Sequence, residues 1–205
     1  MSRQYTNIQL FEAFEDALKH LIEDDAELFS WPKAKMSIAH TFASHLHRTL
    51  CKVLGLSLDT SSKSYLSLPQ NMKVDLFALA EKSMADILVH DRQKNRPLAI
   101  LFNQDYLSKQ QIEVLHKLEK EGCSLVLGVA FLHQKEYILI YRANGEKLDY
   151  YHFSRTGHTS SLLKQRELSK EESPLQLSLN IQNRKKYKKR QAKPVGATPL
   201  SEEDQ

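Results

Sequence analysis

Apolar residues recur at three- and four-residue spacing near the start of the chain, and this pattern predicts a helix. We expect it to begin at Thr6, because Gln9 stands three residues later and the pair forms a capping box. It should end near Phe29, since the Trp31-Pro32 step disfavours helical geometry. Trp31 is then expected to pack between this helix and the next.

The same spacing predicts a second helix from about Lys35 to Val53, and Gly55 marks its end. Residues 56–70 mix serines with isolated apolar residues, so we expect a loop with short strands at 56–58 and 65–68. Residues 74–80 fit either a helix or a strand, since their composition favours helix while their apolar run favours strand.

Further along, short apolar runs alternate with polar turns, and these runs predict strands. A helix capped by Ser108 and ending near Glu121 interrupts them, with Gly122 as its stop. The expected strands are residues 85–90, 98–102, 123–132, 136–143 and 147–154.

The order of these elements predicts an α/β fold with a mixed central sheet, flanking helices and two N-terminal helices. A helix between two buried strands implies a right-handed crossover and parallel pairing, whereas the Asn144-Gly145 step predicts an antiparallel hairpin. Residues 1–153 would form this domain. Residues 154–182 would be an extension with a short helix and a strand at 175–181, added at a sheet edge, and residues 183–205 a disordered tail.

Composition narrows the class of protein. The chain has 205 residues, of which 41% are hydrophobic and 26% charged, as in an ordinary globular domain. It shows no apolar stretch of signal-peptide or membrane-span length, so we expect a cytoplasmic protein without a membrane partner. The two cysteines, Cys51 and Cys123, provide no disulfide framework or zinc cluster, and Cys123 is expected in the core.

Charge is distributed unevenly along the chain. Residues 1–30 hold two basic and seven acidic residues, while residues 183–193 hold seven basic residues and no acid. Such a run is usually only a solvated tail. Because clustered lysine and arginine displace counterions from phosphate, this basic tail also favours contact with nucleic acid or another polyanion. Its basic residues are Arg184, Lys185, Lys186, Lys188, Lys189, Arg190 and Lys193.

Three short motifs resemble the core of the PD-(D/E)xK nuclease superfamily, which has the restriction-endonuclease-like fold. They are KMSIAHTFA (residues 35–43), ADILVHDR (85–92) and AILFNQ (99–104). They are similar, in the same order, to ERSIAHRLA, PDIIVHRR and IEIKK in a group of small bacterial members. The resemblance covers roughly residues 10–140 and implies that fold for this chain.

The resemblance also implies a degenerate active site. In such enzymes two carboxylates hold Mg²⁺, a lysine stabilises charge, and a helix glutamate supports the metal. Here the first acid falls on Asp86, whereas the second falls on Leu101, the lysine on Asn103 and the helix glutamate on Lys35. Since one aspartate provides too few oxygen ligands for Mg²⁺, we expect no catalysis and no cofactor, and a role in binding nucleic acid or protein.

Two other functions stay open from the sequence. In the first, the site residues have migrated: Asp105 replaces the lost ligand and Lys109 the lost lysine, which with Asp86 gives an active Mg²⁺-dependent nuclease. In the second, the chain is a phage, defence or secreted interaction protein. There the fold would serve as a scaffold and the acidic first helix would dock a partner protein.

Two further groups of residues give weaker indications of a binding site. His40, His47 and Cys51 can share one face of the second helix and would suit zinc, but a solvated or partner-facing stripe is the simpler interpretation. The aromatic run at residues 150–153 can stack nucleic-acid bases. The simpler interpretation of that run is the two alternating faces of an edge strand.

Overall fold

The computed structural model describes residues 6–54, 68, 72–133 and 135–167. Within them, two α-helices precede the first strand and a third lies between two strands, as the sequence predicts. A short 3-10 turn follows the first helix. The helices are Asn7–Asp24 (α1), Lys35–Val53 (α2) and Lys109–Lys120 (α3), and the 3-10 turn is Ala26–Phe29.

One mixed sheet of seven strands organises the described residues, so the predicted α/β class with a mixed sheet is confirmed. The strands lie side by side in chain order. All neighbours pair antiparallel except β3 and β4, which run parallel and are joined through α3, as predicted. The strands are Lys73–Leu79 (β1), Met84–His90 (β2), Arg96–Asn103 (β3), Cys123–Ala130 (β4), Tyr137–Asn144 (β5), Lys147–Ser154 (β6) and Ser160–Glu167 (β7).

Helices α1 and α2 pack on one face of the sheet. The predicted capping box at Thr6 and Gln9 is present, and Thr49 Oγ1 of α2 donates to the Ala13 carbonyl of α1 at 2.8 Å. Buried aromatic rings connect these helices to the central strands, with neighbouring centroids 5.3–5.5 Å apart. The rings belong to Phe14, Phe42, Phe102 and Phe131.

Helix α3 covers the opposite face of the sheet. Ser108 and Gln111 form its capping box, and Leu115 and Leu118 are buried. Gly128 of β4 allows this helix to lie close to the sheet: a Cβ atom there would come within 2.6 Å of Leu107 and 3.0 Å of Leu115. The helix ends where the chain turns at Gly122, whose φ is +89°.

Several expectations about local structure need revision. The ambiguous residues 74–80 fall largely in β1, and β7 continues the sheet to Glu167, beyond the expected domain end at residue 153. The β5–β6 turn consists of Gly145 and Glu146 instead of Asn144 and Gly145, because Asn144 pairs with Lys147. The strands proposed at 56–58, 65–68 and 175–181, and the tail at 183–205, lie outside the described residues except for Leu68.

Trp31 does not pack between the first two helices. Trp31 is 53% exposed, and the preceding 3-10 turn instead buries Leu28 and Phe29. Phe29 stacks on Phe131 at 5.0 Å, and the Arg155 guanidinium lies 4.7 Å from the centre of the Phe29 ring. The core position beside the helices is therefore taken by Phe29.

In the part of the chain that the structure describes, none of the helices has the length and apolar character that a membrane crossing requires.

Candidate functional site

The site that the sequence indicates lies where β2 leaves β3. Their pairing runs from Val89–Leu98 to Ile87–Ile100 and stops there. The backbone groups of β3 beyond this point therefore need hydrogen-bond partners other than the backbone of β2. The Asp86 carboxylate supplies one: its Oδ2 accepts a 2.7 Å hydrogen bond from the Phe102 backbone N–H. Asp86 is 3% exposed, and its side chain thus closes the gap between the two strands.

The second oxygen of Asp86 is also engaged. The Lys35 ammonium, on the first residue of α2, lies 2.9 Å from Asp86 Oδ1. The side chain of Lys35 is 38% exposed and that of Asp86 5%, so the pair spans from the surface into the interior. Lys35 stands at the position that the resemblance assigns to a helix glutamate. In the structure it provides the positive charge that pairs with Asp86.

The other two substituted positions have structural contacts of their own. Leu101 is buried in the apolar cluster beneath α3. The amide of Asn103 donates to the Tyr106 carbonyl at 2.9 Å and lies 3.4 Å from Gln111 Oε1. Leu101 therefore contributes packing, while Asn103 fixes the loop between β3 and α3.

The residues of the migrated-site hypothesis do not join Asp86. Asp105 is exposed and its Oδ1 accepts a bond from the adjacent Tyr106 N–H at 2.7 Å, while Lys109 is an exposed first residue of α3. Within the described ranges, the hydrogen-bonding and ionic partners of Asp86 are Lys35 and Phe102. Among these residues, no three His, Cys, Asp or Glu side chains are placed so that they could hold one metal ion.

The hairpin of β1 and β2 is fastened to the far end of α3 by Glu121. Its Oε2 accepts bonds of 3.0–3.1 Å from the backbone N–H groups of residues 81–83, and its Oε1 accepts one of 2.7 Å from Ser83 Oγ. Burial raises the pKa of Glu121, but these hydrogen bonds outweigh burial and lower the pKa to about 2. The hairpin that carries Asp86 is therefore held at its tip, close to Asp86 in the chain.

Cys51 does not line the same groove as His40 and His47. Cys51 is buried, and burial raises the pKa of its thiol. His40 and His47 instead line an open groove between α2 and β1, with a volume of about 310 Å³. The structure thus places only the two histidines on one accessible surface.

The aromatic run at residues 150–153 has side chains on both faces of β6. Tyr151 packs 5.4 Å from Phe11 and Phe153 is buried, both on the α1 side. Tyr150 lies 5.2 Å from Tyr141, and His152 stacks at 4.0 Å on Tyr137. The run therefore consists of two alternating faces, as the simpler interpretation has it, but β6 is not the expected edge strand, because it pairs with both β5 and β7. Burial lowers the pKa of His152.

Sequence reasoning missed a second feature at the same strand end. The Gln104 amide donates to the Trp31 carbonyl at 2.8 Å, which joins the loop after β3 to the turn before α2. Trp31 and Tyr106, 53% and 48% exposed, stand on these two segments. A lone tryptophan before a proline and a tyrosine in a polar loop give no periodic signal, so the sequence alone could not pair them.

No protein-family model, curated protein or solved structure matches this chain. The fold and the site define an α/β protein with a mixed seven-stranded sheet and a lysine-neutralised aspartate where β2 and β3 diverge. A more specific function must therefore be argued from the chemistry of the site residues.

Proposed function

We propose that this protein is a catalytically inactive relative of the PD-(D/E)xK nucleases that binds nucleic acid. The observation that carries the first half is the contact between Lys35 and Asp86, 2.9 Å apart. It supports the view that the Lys35 ammonium has taken the place that a metal ion would have beside the Asp86 carboxylate.

The donor set at this point does not fit Mg²⁺. That ion prefers octahedral coordination by oxygen and is usually held by one or two carboxylates with free oxygens, together with waters and substrate phosphates. Here there is one carboxylate, and its oxygens already accept from an ammonium and a backbone N–H. Leu101 has no oxygen in its side chain, and Asn103 is committed to its loop.

The second half of the proposal rests on the basic tail. Seven lysines and arginines between residues 184 and 193, with no acid among them, form a polycation that favours phosphate by releasing counterions. Phosphate contacts position a protein without distinguishing bases, so this binding should be insensitive to sequence.

A cleavage assay tests the loss of catalysis. The full chain, incubated with DNA or RNA and Mg²⁺ or Mn²⁺, should cut no faster than its Asp86→Ala variant. Asp105→Ala and Lys109→Ala test the migrated site in the same assay. Metal-dependent cleavage that any of these substitutions abolishes would make the protein an active nuclease and refute the proposal.

A salt titration tests nucleic-acid binding. If the tail engages about six phosphates, the logarithm of the binding constant should fall against log[salt] with a slope of about −5. A full-length variant with the seven basic tail residues replaced by glutamine should lose most of that slope, whereas shuffling residues 183–193 should preserve it. If glutamine replacement leaves affinity and slope unchanged, or no nucleic acid binds, a protein partner becomes the better hypothesis.

A further inference from the structure

An open groove runs between helix α2 and strand β1. One part of it, about 310 Å³ in volume, is lined on the helix side by His40, Ser44 and His47. The adjoining part, about 380 Å³, is lined by Met36 and again by His40, so the two form one continuous space, the α2–β1 groove. These residues lie at helical spacing on one face of α2, and over residues 36–47 that face is about 17 Å long.

The opposite wall of the α2–β1 groove is the outer edge of β1. Four consecutive residues of that strand, 73–76, line it. Side chains of a strand point alternately to its two faces, so a space that touches four residues in a row lies along the edge of the strand. β1 pairs with β2 on its other side, and no other strand among the described residues pairs with it. The outward N–H and C=O groups of β1 therefore face the groove and are available to a further strand.

The shape of the groove fits an extended chain. A strand rises about 3.3 Å per residue, so about five residues of a peptide would span the groove. A peptide laid along an outer strand gains main-chain hydrogen bonds, while its alternate side chains enter the space beside the strand. A helix in the same place could not use the backbone groups of β1, because its own backbone groups pair with one another.

The charges that line the groove favour an acidic peptide. Among the lining residues that the structure describes, Asp75 is the one acid, and both of its oxygens are engaged. Arg92 donates to them at 3.1 and 3.2 Å, and His90 Nε2 lies 2.9 Å from one of them. Lys73 is exposed and forms no ion pair within the described residues, so its charge remains available to a carboxylate.

The two ends of the groove differ in polarity. Near Lys73, the His47 imidazole has no hydrogen-bond partner within the described ranges, so it can donate to a carboxylate. At the other end Met36, 66% exposed, lines the groove together with the half-buried Leu76 and Phe77. An acidic side chain therefore suits the first end and an apolar side chain the second.

We propose that the α2–β1 groove binds an extended peptide of a partner protein, which pairs with the outer edge of β1 as a further strand. The peptide places a glutamate or aspartate near Lys73 and His47, and an apolar side chain near Met36. The two side chains stand an even number of positions apart, so that both face α2. This is a second binding function, and it does not depend on the nucleic-acid contact proposed for the basic tail.

A peptide array tests the proposal. Full-length protein is applied to immobilised heptapeptides with one fixed glutamate, an apolar residue two or four positions away, and random residues elsewhere. One control array has lysine instead of the glutamate. A second keeps the glutamate but has glycine instead of the apolar residue, and so measures attraction to the basic tail alone. We expect the first array to retain more protein than either control, and equal retention on all three, or none, would refute the proposal.

Substitutions in the groove locate the contact for a peptide selected in this way. Lys73→Glu should weaken its binding about tenfold, because a repulsive charge replaces an attractive one. Ser44→Phe should weaken it at least as much by filling the groove from the helix side. Lys109→Glu is the matched control for charge, since Lys109 is exposed on α3, across the sheet from α2, and it should leave binding unchanged.

These variants all keep the basic tail, so they separate the groove from it. Circular dichroism of each variant confirms that the fold is kept. Equal affinity of the parent, Lys73→Glu and Ser44→Phe for the peptide would place the binding elsewhere and refute the groove. Salt-dependent binding of nucleic acid through the tail should be the same in the parent and in Ser44→Phe.

Amide hydrogen exchange distinguishes strand addition from other contacts. Saturation with the selected peptide should slow exchange of the outward amides of residues 73–76. N-methylation of the peptide should abolish binding at alternate positions only. Unchanged exchange in β1 would refute the pairing. A dimer of this chain that Ser44→Phe dissociates, and that excludes the peptide, would make a second copy the occupant and overturn the proposal.

Discussion

The Lys35 ammonium meets Asp86 Oδ1 at 2.9 Å while the Phe102 N–H meets Oδ2 at 2.7 Å, so one carboxylate joins α2, β2 and β3. Removing either partner leaves a charge or a donor without compensation in a region where Asp86 is 3% exposed. The pair therefore has a structural role whatever its history, and that role can be measured.

Replacing Lys35 with methionine should lower the free energy of unfolding by about 1–2 kcal/mol, because the Asp86 charge loses its partner. The loss stays moderate since the Lys35 side chain is 38% exposed and water screens the interaction. Urea denaturation measures it, and Lys33→Met, at an exposed neighbour, should change stability by less than about 0.5 kcal/mol. Equal effects of the two variants would show that the ion pair contributes nothing.

Asp86→Ala should lower the free energy of unfolding by more, about 3 kcal/mol, because it leaves both the Lys35 ammonium and the Phe102 N–H without their partner. In the double variant with Lys35→Met the two losses should not add, and the difference gives the coupling energy of the pair. Strict additivity would mean that Asp86 acts through Phe102 alone.

The Glu121 carboxylate gives a pH-dependent prediction. Its pKa of about 2 lies below the ordinary value of about 4.3, so its contribution to stability is complete above that value and is lost as pH falls towards 2. Glu121→Gln should therefore lower the free energy of unfolding at pH 7, by about 1 kcal/mol at this partly solvated site. Denaturation curves at pH 7 and pH 2.5 check it: the gap between variant and parent should narrow at the lower pH, and a constant gap would contradict the assignment.

Gly128→Ala tests the close approach of α3 to the sheet. The new methyl group would meet Leu107 Cδ2 at 2.6 Å, so side chains must move, and we expect a loss of about 1–3 kcal/mol. Gly157→Ala is the comparison, because its nearest contact would be 3.2 Å, to Ser154 Oγ on a turn. Thermal denaturation of both variants should show the larger shift at Gly128.

The two cysteines should be unreactive in the folded protein. Both are buried, and burial raises the pKa of Cys51 and brings that of Cys123 to about 11, which disfavours the reactive thiolate. Titration with a disulfide reagent at pH 8 should show no fast-reacting thiol in buffer and two in guanidinium chloride. A fast native thiol would mean that the region around it opens readily.

Local signals predicted all three helices, because caps and apolar stripes act within one element, but α1 ends at Asp24 and a 3-10 turn occupies the last residues of the expected helix, up to Phe29. Ser108 and Gln111 are an example, since both members of the capping box lie within four residues. Strand β1 stayed ambiguous because its composition favours helix, and pairing with β2 decides the outcome. β7 was missed because Leu162 and Leu163 are adjacent instead of alternating, and the ladder with β6 is irregular at Tyr150 and Tyr151.

The site was predictable in its residues but not in its contacts. The motifs singled out Asp86 as the retained acid and Lys35 and Asn103 as substituted positions, yet the ion pair depends on how α2 lies against β2. The exposure of Trp31 depends likewise on Phe29 taking the core position. Such contacts join residues far apart in the chain, where spacing carries no information.

The agreement between chain order and spatial order in the sheet has a consequence for how this protein can diversify. Because β1 and β7 are the outer strands of the sheet that the described residues form, a hairpin added beyond either one would extend that sheet without breaking an existing strand pair or changing the order of the connections. The interior strands, which form the core, can then stay unchanged while the segments beyond β1 and β7 vary in length and sequence. Insertions and rapid sequence change among homologues should accordingly concentrate next to β1 and after β7.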